Sequence, residues 1–409
     1  MASIRTQTAT QKGRPSPAPK HQVTSQDPPA PVQSKGRKRK LSIESALEPS
    51  SDPDQEQQTD PIAFWVKEGR WPEEQCWPEE NLKAVLAMER LLARKKSLST
   101  PSRVPSISAT SVTPSDQRPR GEKSVQYRSQ NYEILLATKY SFMGESNLGI
   151  ADTSKDLCRD LLETRQTVPR DSLFGDDVFG LTCEMIHGRN EARVIHDISG
   201  LIVPRAESLA TFGANHLKIL AESVNEGWNN SIPLTEPRPQ PDYSVGFKRE
   251  AFTKDQLETL APCIGEFWLG DQSFFMATRY MYFPFLTCEV KCGGMLDVAD
   301  RQNAHSMTLA VRAIVELFRA VKREGEIHRQ ILAFSISHDD KSVRIYGHYP
   351  VVDGEETMYY RHPIDHFLLT GLNGREKWTA YRFTKNVYDT WMPKHFENIC
   401  SAIDELQAI

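Results

Sequence analysis

The sequence predicts a mixed α/β domain: a central sheet flanked by helices. Three observations carry this prediction. Residues 283–291 form an apolar, aromatic and β-branched run closed by Gly293 and Gly294, which reads as a buried strand. A long helical pattern follows at 297–323, with Met307, Ala310, Ile314, Leu317 and Val321 recurring on one face. Residues 330–337 and 342–349 then read as two strands joined by the turn His338-Asp339-Asp340-Lys341. The resulting order, helix-strand-strand-helix-strand-strand, calls for a sheet with helices packed on it.

Ahead of that domain the composition changes. Residues 1–59 are rich in Pro, Ser, Gln, Lys and Asp and hold almost no large apolar side chains, so they are expected to form a disordered arm. Within it, Lys35-Gly36-Arg37-Lys38-Arg39-Lys40 is a compact basic run that points to nuclear import or a non-specific phosphate contact, the plainer reading being a solvated charge run. Segment 60–96 contains Trp65, Trp71 and Trp77, then an amphipathic helix with Leu82, Val85, Leu86 and Leu92 on one face. That helix is expected to dock on the main domain, with a separate partner as the alternative. Residues 97–123 are a Ser/Pro-rich linker, and the α/β domain occupies 124–409.

Composition excludes several classes. Lys+Arg number 50 against Asp+Glu 54, so any nucleic-acid-binding patch must be local. No run of about eighteen apolar residues occurs, and no membrane span is expected. The 7 cysteines are scattered and odd in number, which argues for a reducing compartment. There is no phosphate-binding Gly-rich loop, dinucleotide fingerprint or nucleophile elbow.

Within the domain, 132–143 is strand or short helix, and helices are expected at 154–165, 176–187, 191–199 and 206–228. Residues 242–247 alternate as a strand, and 252–260 read as an inserted helix. A further strand is expected at 357–361, with helices at 365–372 and 387–406.

Strand 283–291 ends in two charges. Alternation puts Phe285, Thr287, Glu289 and Lys291 on one face, and Leu286, Cys288 and Val290 on an apolar one. Buried charges are costly unless paired or ligated. Asp242, on a neighbouring strand, faces Glu289 if the register permits, and a hard divalent cation such as magnesium would relieve the repulsion between the two carboxylates. Lys291 would then stabilise charge developing on a phosphate, and Glu222, or Glu226 in its place, could supply a third carboxylate. The plainer reading of Glu289 and Lys291 is a salt bridge at a strand end. Cys288 and Cys292 read as buried thiols, and the histidines as structural.

In this element order, Pro241-Asp242 followed by Glu289-Val290-Lys291 resembles the PD-(D/E)XK nuclease superfamily, the restriction-endonuclease-like fold. The resemblance implies Asp242 and Glu289 as Mg2+ ligands and Lys291 as the lysine assisting phosphodiester hydrolysis of nucleic acid. It also implies a glutamate on the preceding helix, matched by Glu222, and a glutamine on the following helix, matched by Gln302. The gap from Asp242 to Glu289 is long for that superfamily. From residue 60 to 406 the chain further resembles a fungal family of unknown function, through the segments 65–71, 222–228, 239–244 and 285–291. An interaction module without turnover on the same fold is the alternative function.

Overall fold

The computed structural model describes residues 89–95 and 125–406. The expected disordered arm with its Lys35–Lys40 run, Trp65, Trp71, Trp77 and the 97–123 linker all lie outside the described residues. Of the amphipathic helix, only the end is described.

The centre is a seven-stranded sheet. Its strands are β1 (Leu220–Val224), β2 (Tyr243–Phe247), β3 (Met276–Thr278), β4 (Met281–Val290), β5 (Ala333–His338), β6 (Ser342–Asp353) and β7 (Glu356–Leu368). The spatial order is β1-β2-β4-β5-β6-β7, with β3 also paired to β4. Only β4 and β5 run parallel; the other pairs are antiparallel. Helices α1 (Val125–Arg128), α2 (Asn131–Ala137), α3 (Asp152–Glu163), α4 (Phe179–Ile186), α5 (Glu191–Val194) and α6 (Ala206–Thr211) precede the sheet. Within and after it come α7 (Lys254–Ile264), α8 (Leu296–Ala320), α9 (Thr379–Asn386) and α10 (Met392–Asp404). A parallel pair needs a crossover, and α8 supplies the one between β4 and β5.

Every residue of β4 is buried, as its apolar run requires. Its two faces meet different helices. Thr287 donates to Asn303 on α8 at 2.7 Å, and Asn303 donates to Ser337 on β5 at 2.9 Å. On the other face Leu286 lies opposite Phe334, whose ring packs edge-on against Phe383 of α9 and Trp391. The expected alternation fails at Phe285. That ring packs on Trp391 and His395, on the side of α9 and α10 rather than with Thr287. The cause is an irregularity between Val245 and Phe247, where β2 loses register with β4 and Phe283 adopts φ 42°.

Two expected helices are in part strands. Residues 206–228 hold α6, a 3-10 turn at Asn215–Ile219 and then β1. Gly213, at φ 111°, follows the end of α6, and the ladder to β2 satisfies the backbone beyond. Residues 365–368 continue β7, because β6 offers them partners from Ser342 to Ile345. The ambiguous 132–143 segment is helical from Asn131 to Ala137. The C-terminal helix begins earlier than expected and contains a π-helical turn at Val387–Trp391.

Segment 89–95 docks on this domain. Leu91 is buried, Arg90 donates to Glu316 of α8 at 2.8 Å, and Arg94 exchanges both backbone hydrogen bonds with Gln272. Among the described residues no helix is long and apolar enough to cross a membrane.

Candidate functional site

Tyr243 lies opposite Cys288 in the antiparallel β2–β4 ladder, so the next pair outward is Asp242 with Glu289. Cross-strand partners project from the same face, and the register therefore puts both carboxylates together. Asp242 Oδ2 accepts the backbone N–H of Val290 at 2.9 Å, which fixes its position. Lys291 Nζ stands 3.9 Å from Asp242 Oδ2 and 3.9 Å from Glu289 Oε2. It donates to the Val290 carbonyl at 2.9 Å and lies 3.4 Å from Glu191 Oε2 at the start of α5. Asp242, Glu289 and Lys291 are 3%, 1% and 5% exposed, so the cluster is desolvated.

A cavity of about 850 Å3 opens beside the cluster. Asp242, Glu191, Arg189, Asn190, Cys292 and Asp340 are among its lining residues, while Glu289 is not. Asp340, which the sequence assigns to a plain turn, thus reaches the cavity wall.

Several buried titratable groups surround this part of the sheet, and the Glu289 charge acts on one of them, Tyr127. Tyr127 of α1 meets His305 Nδ1 at 2.9 Å, and Tyr132 meets the same nitrogen at 3.0 Å. Burial, then Tyr132, and also the Glu289 charge push the Tyr127 phenol well above its ordinary range, so it stays protonated. Burial, with Arg312, pushes His305 down to about 3, leaving it neutral. His338 is also pushed down by burial; its ring meets Ser199 Oγ at 2.9 Å and its carbonyl accepts the Lys291 N–H at 3.1 Å. Cys288 is buried, and burial raises its thiol well above the usual range. Cys292, half-buried, is pushed up to about 11, mainly by burial. Both remain thiols at neutral pH.

Asp242, Glu289 and Lys291 are therefore brought together, whereas Glu222 is not. It sits on β1 opposite Val245, and its carboxylate accepts from the Tyr243 hydroxyl at 3.0 Å and the Glu207 N–H at 3.2 Å. That is the face of Tyr243 and Val245, turned away from Glu289. Glu226 accepts from the Tyr280 hydroxyl. Gln302 lies on α8 as expected, is 8% exposed, and its side-chain oxygen has no hydrogen-bond partner among the described residues. The residue missed by the sequence reading is Glu191, 100 positions before Lys291, with no local signal to connect them.

The cluster offers hard oxygen donors. With its carboxylates ionised, Asp242 and Glu289 carry more charge than Lys291 offsets, which suits a divalent cation that keeps its own water. Among the described residues no three His, Cys, Asp or Glu side chains are grouped to hold an ion by themselves. A metal here would rest on two carboxylates and water, a set that fits Mg2+ better than zinc.

Fold and site thus define a mixed α/β domain with a buried carboxylate-lysine cluster at the end of its central strand. A family model described as a domain of unknown function (DUF7924) matches residues 178–403, more than half the chain, and the chain belongs to that family. No curated protein matches the sequence.

Proposed function

We propose that the domain is a divalent-metal-dependent phosphodiester hydrolase acting on nucleic acid, related to the PD-(D/E)XK nucleases. The observation that carries this reading is the approach of Asp242 and Glu289 to a single ammonium, Lys291, beside an 850 Å3 cavity. Asp242 and Glu289 would hold Mg2+, which when bound polarises a phosphodiester and acidifies a water. The other roles fall to the chain. The Val290 N–H fixes Asp242, and the Val290 carbonyl fixes the Lys291 ammonium. From there Lys291 stabilises negative charge building on a phosphoryl oxygen. Glu191 stands 3.4 Å from the ammonium and helps hold Lys291 in place, while the metal would rest on Asp242, Glu289 and water. The basic run from Lys35 to Lys40 would deliver the protein to the nucleus, and the likeness to a fungal family belongs to the same reading.

One observation favours a second reading, a charge-paired interaction module without turnover. Lys291 already has three carboxylates within 3.9 Å and a carbonyl at 2.9 Å, so the cluster can close on itself without a metal.

The test is incubation of the purified full chain with end-labelled DNA and RNA oligonucleotides in Mg2+ or Mn2+, alongside calorimetric titration of the cation. The hydrolase reading expects cleavage that Asp242→Asn and Glu289→Gln abolish, and cation binding lost in Glu289→Gln. Cleavage surviving both substitutions removes the assignment. Absence of both cleavage and cation binding leaves the charge-paired module.

A further inference from the structure

The catalytic cavity does not end at its own wall. A second cavity of about 610 Å3 is lined by Met185, Gly188, Arg189, Asn190 and Arg193. Gly188, Arg189 and Asn190 line both spaces, so the two adjoin along the short connection between α4 and α5. That connection is tied to the turn between β5 and β6. The Gly188 N–H donates to Asp340 Oδ2 at 3.3 Å, and His187 Nδ1 stands 3.4 Å from the same oxygen.

The two spaces differ in chemistry. The first is lined by the acids Asp242, Glu191 and Asp340, by Arg189, and by apolar residues such as Ile195, Val224 and Met295. The second brings two guanidinium groups and, among its lining residues, no acid. Arg189 uses its Nε on the Met185 carbonyl at 3.2 Å, and Arg193 is held by Asp197. A chain of phosphates passing between the two spaces would have one diester beside Asp242 and the next facing the arginines.

Resting on the hydrolase reading, the geometry points to a single nucleic-acid strand as the substrate, with Arg189 and Arg193 forming the subsite for the phosphate next to the cleaved one. Depth decides between strand and duplex. Asp242 lines the cavity yet is only 3% exposed, so a diester that reaches it must enter the cavity. A flexible strand can do so and splay its bases onto the apolar wall; a continuous duplex cannot without being opened.

Two measurements test this on the full chain. First, cleavage of a 12-nucleotide strand, as DNA and as RNA, is compared with the same sequence in a blunt duplex, in Mg2+. The strand is expected to be cut at least 10-fold faster, and equal or faster cutting of the duplex overturns the proposal. Second, binding of the labelled strand is followed by fluorescence anisotropy with Ca2+ in place of Mg2+, over a salt series. Arg189→Gln and Arg193→Gln are each expected to weaken binding several-fold and flatten the log–log salt slope by about 0.7, one phosphate of a single strand. Arg193→Lys keeps the charge and should recover most of the slope, while exposed Lys155→Gln changes neither. The Lys35–Lys40 run is common to all variants, so differences report the cavity. Unchanged affinity and slope in both glutamine variants overturn the subsite. If no diester is cut but both variants lose strand affinity, the hydrolase reading fails and the strand-binding subsite stands.

Discussion

Asp242 accepts the backbone N–H of Val290 at 2.9 Å, so the residue just before β2 is latched to the last residue of β4. The carboxylate holds the sheet, and under the hydrolase reading it would also serve the site; substitutions can separate the two. Asp242→Asn keeps an oxygen for the Val290 N–H and is expected to stay within about 1 kcal/mol of wild-type stability. Asp242→Ala leaves that buried N–H without its acceptor and is expected to cost about 1–3 kcal/mol. Both should abolish metal-dependent cleavage. Urea unfolding and a cleavage assay on the same preparations check this, and an alanine variant as stable as wild type would remove the latch.

Lys291 is the cation that holds the cluster together. Replacing it with Met, similar in length, takes the ammonium away from Asp242, Glu289 and Glu191. Breaking a buried ion pair from one side typically costs about 3–5 kcal/mol. The variant should unfold at lower denaturant, and Mg2+ should raise its melting temperature more than that of wild type, because the cation then replaces the missing charge. A Lys291→Met melting curve that ignores Mg2+ favours the charge-paired module.

What the sequence disclosed follows from how local each signal is. Strand β4, helix α8 and the β5–β6 pair were legible because their periodicity lies within a single element. The pairing of Asp242 with Glu289 was legible only as a condition on register, which the Tyr243–Cys288 pair meets. Phe285 was misplaced because the irregularity at Phe283 arises between strands, not within one. Residues 220–224 and 365–368 were read as helix because apolar spacing over so few positions fits either period; their strand partners, not their composition, decide. Glu191 was invisible for the same reason, since only the tertiary fold sets a four-residue helix against the end of β4.

Gly246 sits where β2 and β4 change register. A Cβ there would lie 2.7 Å from Met281 Cγ and 2.7 Å from the Tyr282 carbonyl, and 3.0 Å from Pro284 Cα. Two of these are backbone atoms that cannot swing aside, so Gly246→Ala should cost about 1–3 kcal/mol. Gly347→Ala makes the comparison: the three atoms nearest its Cβ all belong to the Ile331 side chain rather than to backbone, so the loss should be smaller. Because the β2–β4 register also pairs Asp242 with Glu289, Gly246→Ala should weaken cation binding as well, whereas Gly347→Ala should not. Thermal melts with a cation titration of each variant decide it.

Acid should destabilise this fold before its carboxylates protonate. Burial pushes His305, His348 and His395 each down to about 3, from an ordinary 6.5. In the unfolded chain they take up protons below pH 6.5, while in the folded chain they resist until about pH 3. Stability is therefore full above pH 6.5 and falls as the pH drops through the window below it, by up to about 1.4 kcal/mol per pH unit for each histidine. The window from pH 6.5 to 5 isolates this effect, because the depressed carboxylates titrate lower. His395 stacks on Trp391 at 4.3 Å, and Phe can keep that stack. Urea unfolding at pH 6.5, 5.75 and 5 should show wild-type stability falling, a slope to which His338, also pushed down by burial, contributes, and His395→Phe should make that slope shallower than wild type. A His395→Phe slope equal to that of wild type would show that His395 is not held neutral in the fold.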